Sequence, residues 1–276
     1  MKYLLKNGKE INFDHTYIMG IINVTPDSFY PGSRIDRDRL IDTVSQMIKN
    51  GAEIIDVGGE STRPGAQEVS LEEELNRVVP AIEIIKNNFE IIVSVDTYKS
   101  KVAEESLKLG ADIINDISAF RFDENMVKIA KKYDCPVILM HMKGTPRNMQ
   151  QNPFYEDTIG EIITFLKERI EFSKKHGVEK IIIDPGIGFG KRLIDNLLIL
   201  KHIDDFKKLR YPVLVGASRK SMIGMILDLP VEERLEGTLA ITAYSAMKNV
   251  DIIRVHDVKE NYRVVKVIEA IKNAAG

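Results

Sequence analysis

Polar side chains that are suited to catalysis follow the short apolar runs of this 276-residue chain. Where each run ends, a carboxylate, an amide, a histidine or a cation stands in or directly after it. These residues are Asn23, Asp56, Asp96, Asn115, Asp116, His141, Asp184, Ser218, Lys220, Arg254 and His256. Carboxylates and amides suit a small heterocycle rich in N–H donors, and the cations suit a phosphorylated group.

The same residues have simpler explanations when each is taken alone. Asp56, Asp96 and Asp184 are as well suited to cap a following helix as to act in catalysis. Taken alone, Lys220 is better explained as a solvated lysine at a loop edge, and His141 is better explained as an internally hydrogen-bonded histidine. A carboxylate partner is an alternative explanation for Arg254. The functional interpretation therefore depends on whether these side chains converge on one place.

Three stretches between the runs have a distinctive composition. Residues 24–35 and 58–69 combine Gly, Pro, Ser and Thr with charged side chains, which is typical of binding loops. The stretch D-P-G-I-G-F-G-K at 184–191 matches neither a Walker A loop nor a dinucleotide-binding fingerprint, because its spacing differs from both. Its glycines allow the backbone to approach a flat ligand closely.

The apolar runs predict eight strands that alternate with helices. The runs are Tyr17–Ile22, Glu53–Val57, Ile91–Val95, Asp112–Ile114, Pro136–Met140, Lys180–Ile183, Pro212–Val215 and Asp251–Val255. Continuous hydrophobicity is typical of parallel strands that are buried on both faces. Eight such units favour an α/β fold of the (β/α)8 type, a TIM barrel, over an open doubly wound sheet. In such a barrel the polar residues at the strand ends share one face.

The helical segments show apolar residues three or four apart, as between Leu40 and Ile48 or between Ile159 and Ile170. Gly51, Gly110 and Gly177 follow such segments as expected C-cap glycines. A β-hairpin with an Asn-Gly turn precedes the barrel. We expect one domain over residues 1–276, with the hairpin over residues 1–14 and the barrel over residues 15–276.

Composition excludes several classes of protein. The chain has 39 basic and 41 acidic residues, so its net charge of −2 argues against a strongly basic nucleic-acid binder. No apolar run is long enough to span a membrane or to act as a signal peptide. Cys135 is the single cysteine, which favours a reducing compartment. We therefore expect a cytoplasmic protein that binds neither nucleic acid nor membrane.

The motifs together closely resemble those of the dihydropteroate synthase family. They run in order along nearly the whole chain: M-G-I-I-N-V-T-P-D-S-F at 19–29, D-V-G-G-E-S-T-R-P-G-A at 56–66, S-V-D-T at 94–97, I-N-D-I-S at 114–118, L-M-H-M-K-G-T-P at 139–146, D-P-G-I-G-F-G-K at 184–191, G-A-S-R-K-S at 216–221 and R-V-H-D-V at 254–258. The resemblance implies a transferase that joins p-aminobenzoate to 6-hydroxymethyl-7,8-dihydropterin diphosphate. The products are 7,8-dihydropteroate and pyrophosphate.

The resemblance also implies roles for individual residues. The pterin site consists of Asp96, Asn115, Met140, Asp184, Phe189, Lys220 and Arg254. The p-aminobenzoate site, where sulfonamides compete, consists of Phe29, Thr62, Pro64, Phe189, Lys220 and Ser221. The diphosphate site consists of Asn23, Ser61, Arg63, Arg254 and His256, and Asn23 also binds Mg2+. The catalytic residues are Lys220, Asp96, Arg254 and Asn23. A homodimer is implied as well, through late helices near residues 232–248.

Three different functions stay open on the sequence alone. A methyltetrahydrofolate–corrinoid methyltransferase would bind its pterin through the same carboxylates and amide, Asp96, Asn115 and Asp184, but it uses no diphosphate. A paralogue that binds pterin without turnover keeps the same motifs. The third function makes Lys220 the Schiff-base lysine of an aldolase-type barrel.

Overall fold

A β-hairpin opens the chain, as the Asn-Gly turn signal predicts. The computed structural model describes residues 1–25, 36–61 and 68–274. Strands β1 (Lys2–Leu4) and β2 (Glu10–Asn12) pair antiparallel, and Gly8 in the turn has a φ of +81°. Glycine adopts positive φ readily because it has no Cβ, so the local sequence is sufficient to explain this turn.

Within the described residues, eight parallel strands form a sheet that closes on itself. The strands are β3 (Tyr17–Asn23), β4 (Ile54–Gly58), β5 (Ile92–Asp96), β6 (Ile113–Asp116), β7 (Val137–Met140), β8 (Ile181–Asp184), β9 (Leu214–Val215) and β10 (Ile252–Val255). Their order is β8-β7-β6-β5-β4-β3-β10-β9, and a parallel bridge between Ile183 and Val213 joins β8 to the residue before β9. The predicted (β/α)8 barrel is confirmed, and this closure excludes the open sheet.

Helices surround the sheet on its outer side. Those in the described residues are α1 (Arg37–Lys49), α2 (Leu71–Asn88), α3 (Ser100–Lys108), α4 (Met126–Tyr133), α5 (Thr158–Lys175), α6 (Leu193–Lys201), α7 (Ile203–Lys207), α8 (Ser221–Leu227), α9 (Leu235–Met247) and α10 (Val258–Lys272). The predicted C-cap glycines Gly51, Gly110 and Gly177 have φ values of +101°, +99° and +76°. Each therefore adopts the left-handed conformation that ends a helix.

Alternate residues of each strand point into the barrel and form layers. The lowest layer is apolar and buried, and it consists of Met19, Ile54, Ile92, Ile113, Ile138, Ile182, Leu214 and Ile252. Tyr3, Leu5 and Ile11 of the hairpin pack against this layer. The hairpin thus covers the amino-terminal end of the barrel, and the polar residues lie toward the opposite, carboxyl end.

A membrane-spanning helix is not found in the part of the chain that the structure describes, because none of its helices is both long and apolar enough.

Candidate active site

The site begins one layer above the apolar floor, where the inward residues become polar. Asp56 lies two residues after Ile54 in β4. In the same way, each of three other polar residues lies two residues after an isoleucine of the apolar layer: Asn115 in β6, Asp184 in β8 and Arg254 in β10. Asp56, Asn115 and Asp184 are buried. The two-residue period of a strand therefore carries these side chains into one space inside the barrel.

Arg254 lies between two carboxylates from neighbouring strands. Its Nε donates to Asp56 Oδ2 and its Nη2 donates to Asp96 Oδ2, both at 2.6 Å. Asn115 Nδ2 donates to the same Asp56 Oδ2 at 3.1 Å. The predicted residues Asp96, Asn115 and Arg254 are thus brought together, and Asp56 joins them.

Burial and these ion pairs have opposite effects on the pKa values of Asp96 and Arg254. Burial raises the pKa of Asp96 more than Arg254 lowers it, and the charge of Asp56 adds to the increase. Burial lowers the pKa of Arg254, but the two carboxylates outweigh it and hold that pKa above its usual value. The guanidinium therefore stays charged, while Asp96 is the group that can take up a proton.

Asp184 and Lys220 form the other charged part of the barrel interior. Asp184 Oδ1 accepts from the Gly186 backbone N–H at 2.7 Å, and Lys220 Nζ donates to the Ile187 carbonyl. Burial raises the pKa of Asp184, which Lys220 opposes. Burial lowers the pKa of Lys220 to about 8, which Asp184 opposes. Lys220 Nζ also lies 4.5 Å from the centroid of the Phe189 ring.

The glycine-rich loop between β8 and α6 is held by polar side chains from three directions. Asn196 Oδ1 accepts from the Gly188 N–H at 2.7 Å, and Gln150 Nε2 donates to the Gly188 carbonyl at 2.7 Å. Beneath the loop, buried Lys191 donates to the Phe189 carbonyl at 3.0 Å and lies 2.9 Å from His141 Nδ1. These contacts fix the loop that carries Phe189.

Burial acts on the pKa values of both His141 and Lys191. Burial lowers the pKa of His141 well below its ordinary value, and the charge of Lys191 lowers it further. Burial likewise lowers the pKa of Lys191 well below its ordinary value. His141 is thus internally bonded, in agreement with its simpler explanation.

A methionine-rich cluster forms an apolar wall beside the polar residues. Met140 at the end of β7 packs with Ile117, Met142 and Met149, and Tyr98 and Phe189 lie against them. Methionine adapts its shape to flat aromatic partners. Met140 and Phe189 therefore lie on the same wall.

The last two strands bring a serine and a histidine together. Ser218 Oγ accepts from the His256 backbone N–H at 3.2 Å and lies 3.1 Å from His256 Nδ1. Asn23 ends β3 on the inward face, next to Gly58 in register. Ser61 is half-buried, and Ser221 is exposed at the first position of α8.

Some predicted residues fall outside this geometry. Phe29, Thr62, Arg63 and Pro64 lie outside the described residues. The capping explanation does not hold for the three aspartates, because α2, α3 and α6 have Ser70, Lys99 and Arg192 at their N-caps.

Sequence reasoning misses several residues of the site. Asp56 is recognisable as a polar strand-end residue but receives no role, although two functional residues bond to it. Lys191, Met142 and Met149 receive no role either. The two-residue spacing of Met140 and Met142 is a usable signal, whereas nothing local marks Asp56 as the partner of Arg254.

A cavity of about 620 Å³ lies outside the barrel, along α5. Its walls include Arg121, Lys143, Tyr155, Glu161 and Phe165, and Lys143 pairs with Glu161 at 3.0 Å. It does not contain the converging carboxylates, so the barrel mouth is the better candidate site.

Comparison with known proteins agrees with this geometry. The family model described as "Pterin binding enzyme" matches residues 19–256. A dihydropteroate synthase from Clostridium beijerinckii is 52% identical over 268 residues, covering 95% of this chain and 97% of that protein. A Yersinia pestis dihydropteroate synthase, solved with a sulfonamide drug complex, has a TM-score of 0.94 at 42% identity and covers 99% of this chain and 100% of its own. A Xanthomonas albilineans dihydropteroate synthase solved with 4-aminobenzoic acid has a TM-score of 0.91 at 36% identity, covering 98% of this chain and 97% of its own.

The chain therefore belongs to the pterin-binding enzyme family of (β/α)8 barrels. Within that family its function is that of the dihydropteroate synthases, transferases of folate biosynthesis.

Proposed function

We propose that the barrel mouth joins p-aminobenzoate to 6-hydroxymethyl-7,8-dihydropterin diphosphate and releases pyrophosphate. The observation that carries this proposal is the buried convergence of Arg254, Asp96, Asn115, Asp184 and Lys220 beside the methionine wall. Acceptors and donors placed around an apolar slot suit a flat, polar-edged ring.

The pterin binds to side chains whose orientation is already fixed by contacts within the protein. Asp184 accepts from the amino group and a ring N–H, a paired geometry that a carboxylate supplies. Asn115 donates through Nδ2 to Asp56, which leaves its Oδ1 to accept from the ring. Arg254 is held at its edge by carboxylates, so its planar face is left to stack on the pterin.

The p-aminobenzoate lies nearer the mouth, against Phe189, Lys220 and Ser221. Phe29, Thr62 and Pro64 complete this pocket by motif. The Xanthomonas albilineans relative with 4-aminobenzoic acid and the Yersinia pestis relative with a sulfonamide support an arylamine here. Sulfonamides are accordingly expected to compete with p-aminobenzoate.

We propose that the diphosphate binds at the ends of β3, β4 and β10. Asn23, Ser61, Arg63, Arg254 and His256 are its proposed ligands, and Ser218 orients His256. Arg254 and Lys220 supply positive charge close to the reacting methylene group.

Mg2+ is proposed as the companion of the diphosphate. No group of three His, Cys, Asp or Glu side chains in the described residues could hold an ion by protein ligands alone. Mg2+ commonly binds substrate phosphates and water with one or two protein oxygens, so the Asn23 amide oxygen fits this mode. When bound, the ion neutralises negative charge on the leaving diphosphate.

The chemistry is a displacement at the exocyclic methylene carbon. The C–O bond to the diphosphate breaks and the diphosphate leaves with the electron pair. The amine nitrogen forms the new C–N bond and then loses one proton. Because the arylamine is neutral at pH 7, fixed charges and alignment contribute more than a strong base.

The proposal is tested by pyrophosphate release with and without p-aminobenzoate, with the product identified by mass. Release that depends on p-aminobenzoate and gives dihydropteroate is expected. Lys220→Ala and Asp184→Ala should each lower turnover by about 10²- to 10³-fold, because each removes a charged contact to the reacting ring. Lys201→Ala, at an exposed lysine of α6, is the matched control.

Different outcomes favour one of the competing functions. A folded protein that binds pterin without forming product would favour the corrinoid methyltransferase or the silent paralogue, and a methyl-transfer assay separates these two. Trapping of a carbonyl substrate by borohydride would favour the aldolase-type lysine. Retained turnover in a folded variant contradicts the role of the replaced residue.

A homodimer and a cytoplasmic location are also proposed. Helices α8 and α9 pack against each other. Their exposed apolar side chains are Met225, Ile226, Leu227, Tyr244 and Met247. Such a patch is typical of an interface. The free, buried Cys135 is compatible with a reducing compartment.

Sedimentation velocity tests the dimer. Met225→Glu combined with Met247→Glu should yield monomers, because charges would be buried in the interface. Phe154→Glu, at another exposed apolar residue, should leave the dimer intact. A monomeric wild type contradicts the proposal.

A further inference from the structure

Asp56 is a fully buried carboxylate that the proposed reaction does not use directly. Its side chain has 0% exposure, and its Oδ2 accepts from both Arg254 Nε and Asn115 Nδ2. Its Oδ1 is buried without a hydrogen bond to any described residue. A buried charge that leaves one oxygen unsatisfied is costly, so its retention requires a specific reason.

The geometry around Arg254 gives that reason. Asp56 on β4 holds the Nε edge, while Asp96 on β5 faces Nη2. A planar guanidinium that is gripped at two nitrogens from two strands cannot rotate about its long axis. The contact with Asp96 alone would leave that rotation free.

We propose that Asp56 is a positioning residue: it fixes the orientation of Arg254 and Asn115 and serves as a counter-charge of Arg254. This inference rests on the proposed function, since Arg254 and Asn115 are the groups that face the pterin. Because Asp56 carries the counter-charge, Asp96 is free to exchange its proton with a ligand.

The charged groups around Asp96 define how this arrangement responds to pH. They are Asp56 on β4, Asp116 on β6, Arg254 on β10, Glu74 on α2 and Lys220 before α8. Burial raises the pKa of Asp96, Arg254 lowers it, and the negative charge of Asp56 raises it again. Removal of that charge should therefore lower the pKa of Asp96.

Two substitutions at Asp56 separate its role in positioning Arg254 and Asn115 from the effect of its negative charge. Asp56→Asn keeps an acceptor for Arg254 and Asn115 but removes the charge, whereas Asp56→Ala removes both. Ser94→Ala is the matched control, because Ser94 is the register neighbour of Asp56 on β5 and its Oγ bonds to no described residue. Thermal unfolding establishes that each variant is folded.

The readout is binding of 6-hydroxymethylpterin by calorimetry between about pH 5 and 7.5. This pterin carries no diphosphate, so no ligand phosphate titrates in the range. Wild-type affinity should rise with pH as Asp96 ionises. Asp56→Asn should bind with this rise moved to lower pH by about half a unit or more. Asp56→Ala should bind about 10- to 100-fold more weakly at every pH, and Ser94→Ala should match the wild type.

Each contrary result overturns the inference. Wild-type affinity in Asp56→Ala contradicts the positioning role, and an unmoved pH dependence in Asp56→Asn contradicts the counter-charge. If Asp56→Ala does not fold, the pH dependence of the near-isosteric Asp56→Asn decides alone. Failure of the wild type to bind the pterin contradicts the proposed function itself, and the inference with it.

Discussion

At the scale of single residues, the buried charged groups of the site act on one another. Burial raises the pKa of Asp184 and lowers that of Lys220, and each of the two opposes the shift of the other. Truncation of one member therefore leaves an uncompensated buried charge, which is more costly than the pair itself. Conservative substitutions will report on function more cleanly than alanine at such positions.

Gly186 is the residue where backbone conformation and close approach coincide. Its φ is +71°, and an added Cβ would lie 1.9 Å from the His141 carbonyl oxygen. We expect Gly186→Ala to cost at least about 1–2 kcal/mol in the free energy of unfolding. It should also lower turnover by about 10²-fold, because the loop that carries Phe189 must shift. Thermal unfolding and steady-state kinetics measure the two effects.

Gly8 provides the control for this substitution. Its φ is +81°, but an added Cβ there meets no atom within 4 Å. Gly8→Ala should therefore carry only the backbone cost and leave turnover unchanged, because the hairpin is at the other end of the barrel. Gly186→Ala with wild-type turnover would show that the loop position is not needed.

At the scale of elements, the hairpin covers the amino-terminal end of the barrel, beneath the lowest apolar layer. Tyr3 packs its ring edge on Phe13 with centroids 5.3 Å apart, and its hydroxyl donates to the Ile181 carbonyl at 2.7 Å. The neighbouring Leu4 is 56% exposed in the same strand. One strand thus offers a buried and an exposed position side by side.

Tyr3→Ala is expected to lower the free energy of unfolding by about 3–5 kcal/mol, because it leaves a cavity under the apolar layer. Leu4→Ala should change it by less than about 0.5 kcal/mol. Urea denaturation measures both values. Turnover of the folded fraction should not change in either variant, and a specific loss of kcat in Tyr3→Ala would contradict a purely supporting role for the hairpin.

Element length explains in part which helices the sequence reveals. The apolar spacing predicts α1, α2, α5 and α10, which are 13 to 18 residues long. It also predicts one segment from Leu197 to Phe206, which the structure divides into α6 and α7. The short helices α3, α4 and α8 do not stand out in the same way. Within two or three turns, a few apolar residues do not distinguish a helix from a loop.

At the scale of the whole molecule, one histidine ties the hairpin to the barrel. His15 follows the hairpin, and its ring nitrogens lie 2.8 Å from Asp14 and 2.9 Å from Glu53 at the start of β4. Burial opposes the charged ring, but the hydrogen bonds to the two carboxylates outweigh it, so the pKa of His15 is raised. The charged ring is therefore stabilised by folding.

The sign of the pH dependence follows from this raised pKa. The contribution of His15 to stability is complete below its unfolded pKa of about 6.5 and is lost as the pH rises through its folded pKa. His15→Asn should therefore lower the urea midpoint near pH 6 and leave it unchanged near pH 9. The loss should be about 1 kcal/mol or less, because the pair is partly exposed to solvent.

His176 is a suitable comparison, since its ring bonds to the Phe172 carbonyl and lies against the Phe172 ring, and no salt bridge to it is found in the described part of the chain. His176→Asn should show no such difference between the two pH values. An equal loss for His15→Asn at both pH values would contradict the charge-based explanation.

The sequence by itself determined the local features of this protein. Runs of β-branched residues, the apolar spacing of three or four residues and the Asn-Gly turn depend on neighbours in the chain, so strands, several helices and the hairpin were predictable. The position at the end of an apolar run marked Asn115, Asp184 and Arg254 as strand-end polar residues. The ordered motifs also indicated the family, which the comparisons confirm.

Only the tertiary structure decided which of these polar residues meet. Arg254 and Asp56 are separated by 198 residues, and they touch because closure of the barrel places β10 beside β3 and β4 next to it. A stretch of sequence records the type of a side chain but not its non-local partner. The role of Asp56 therefore emerges only from the fold, although it depends on the same burial and charge that the sequence makes visible elsewhere.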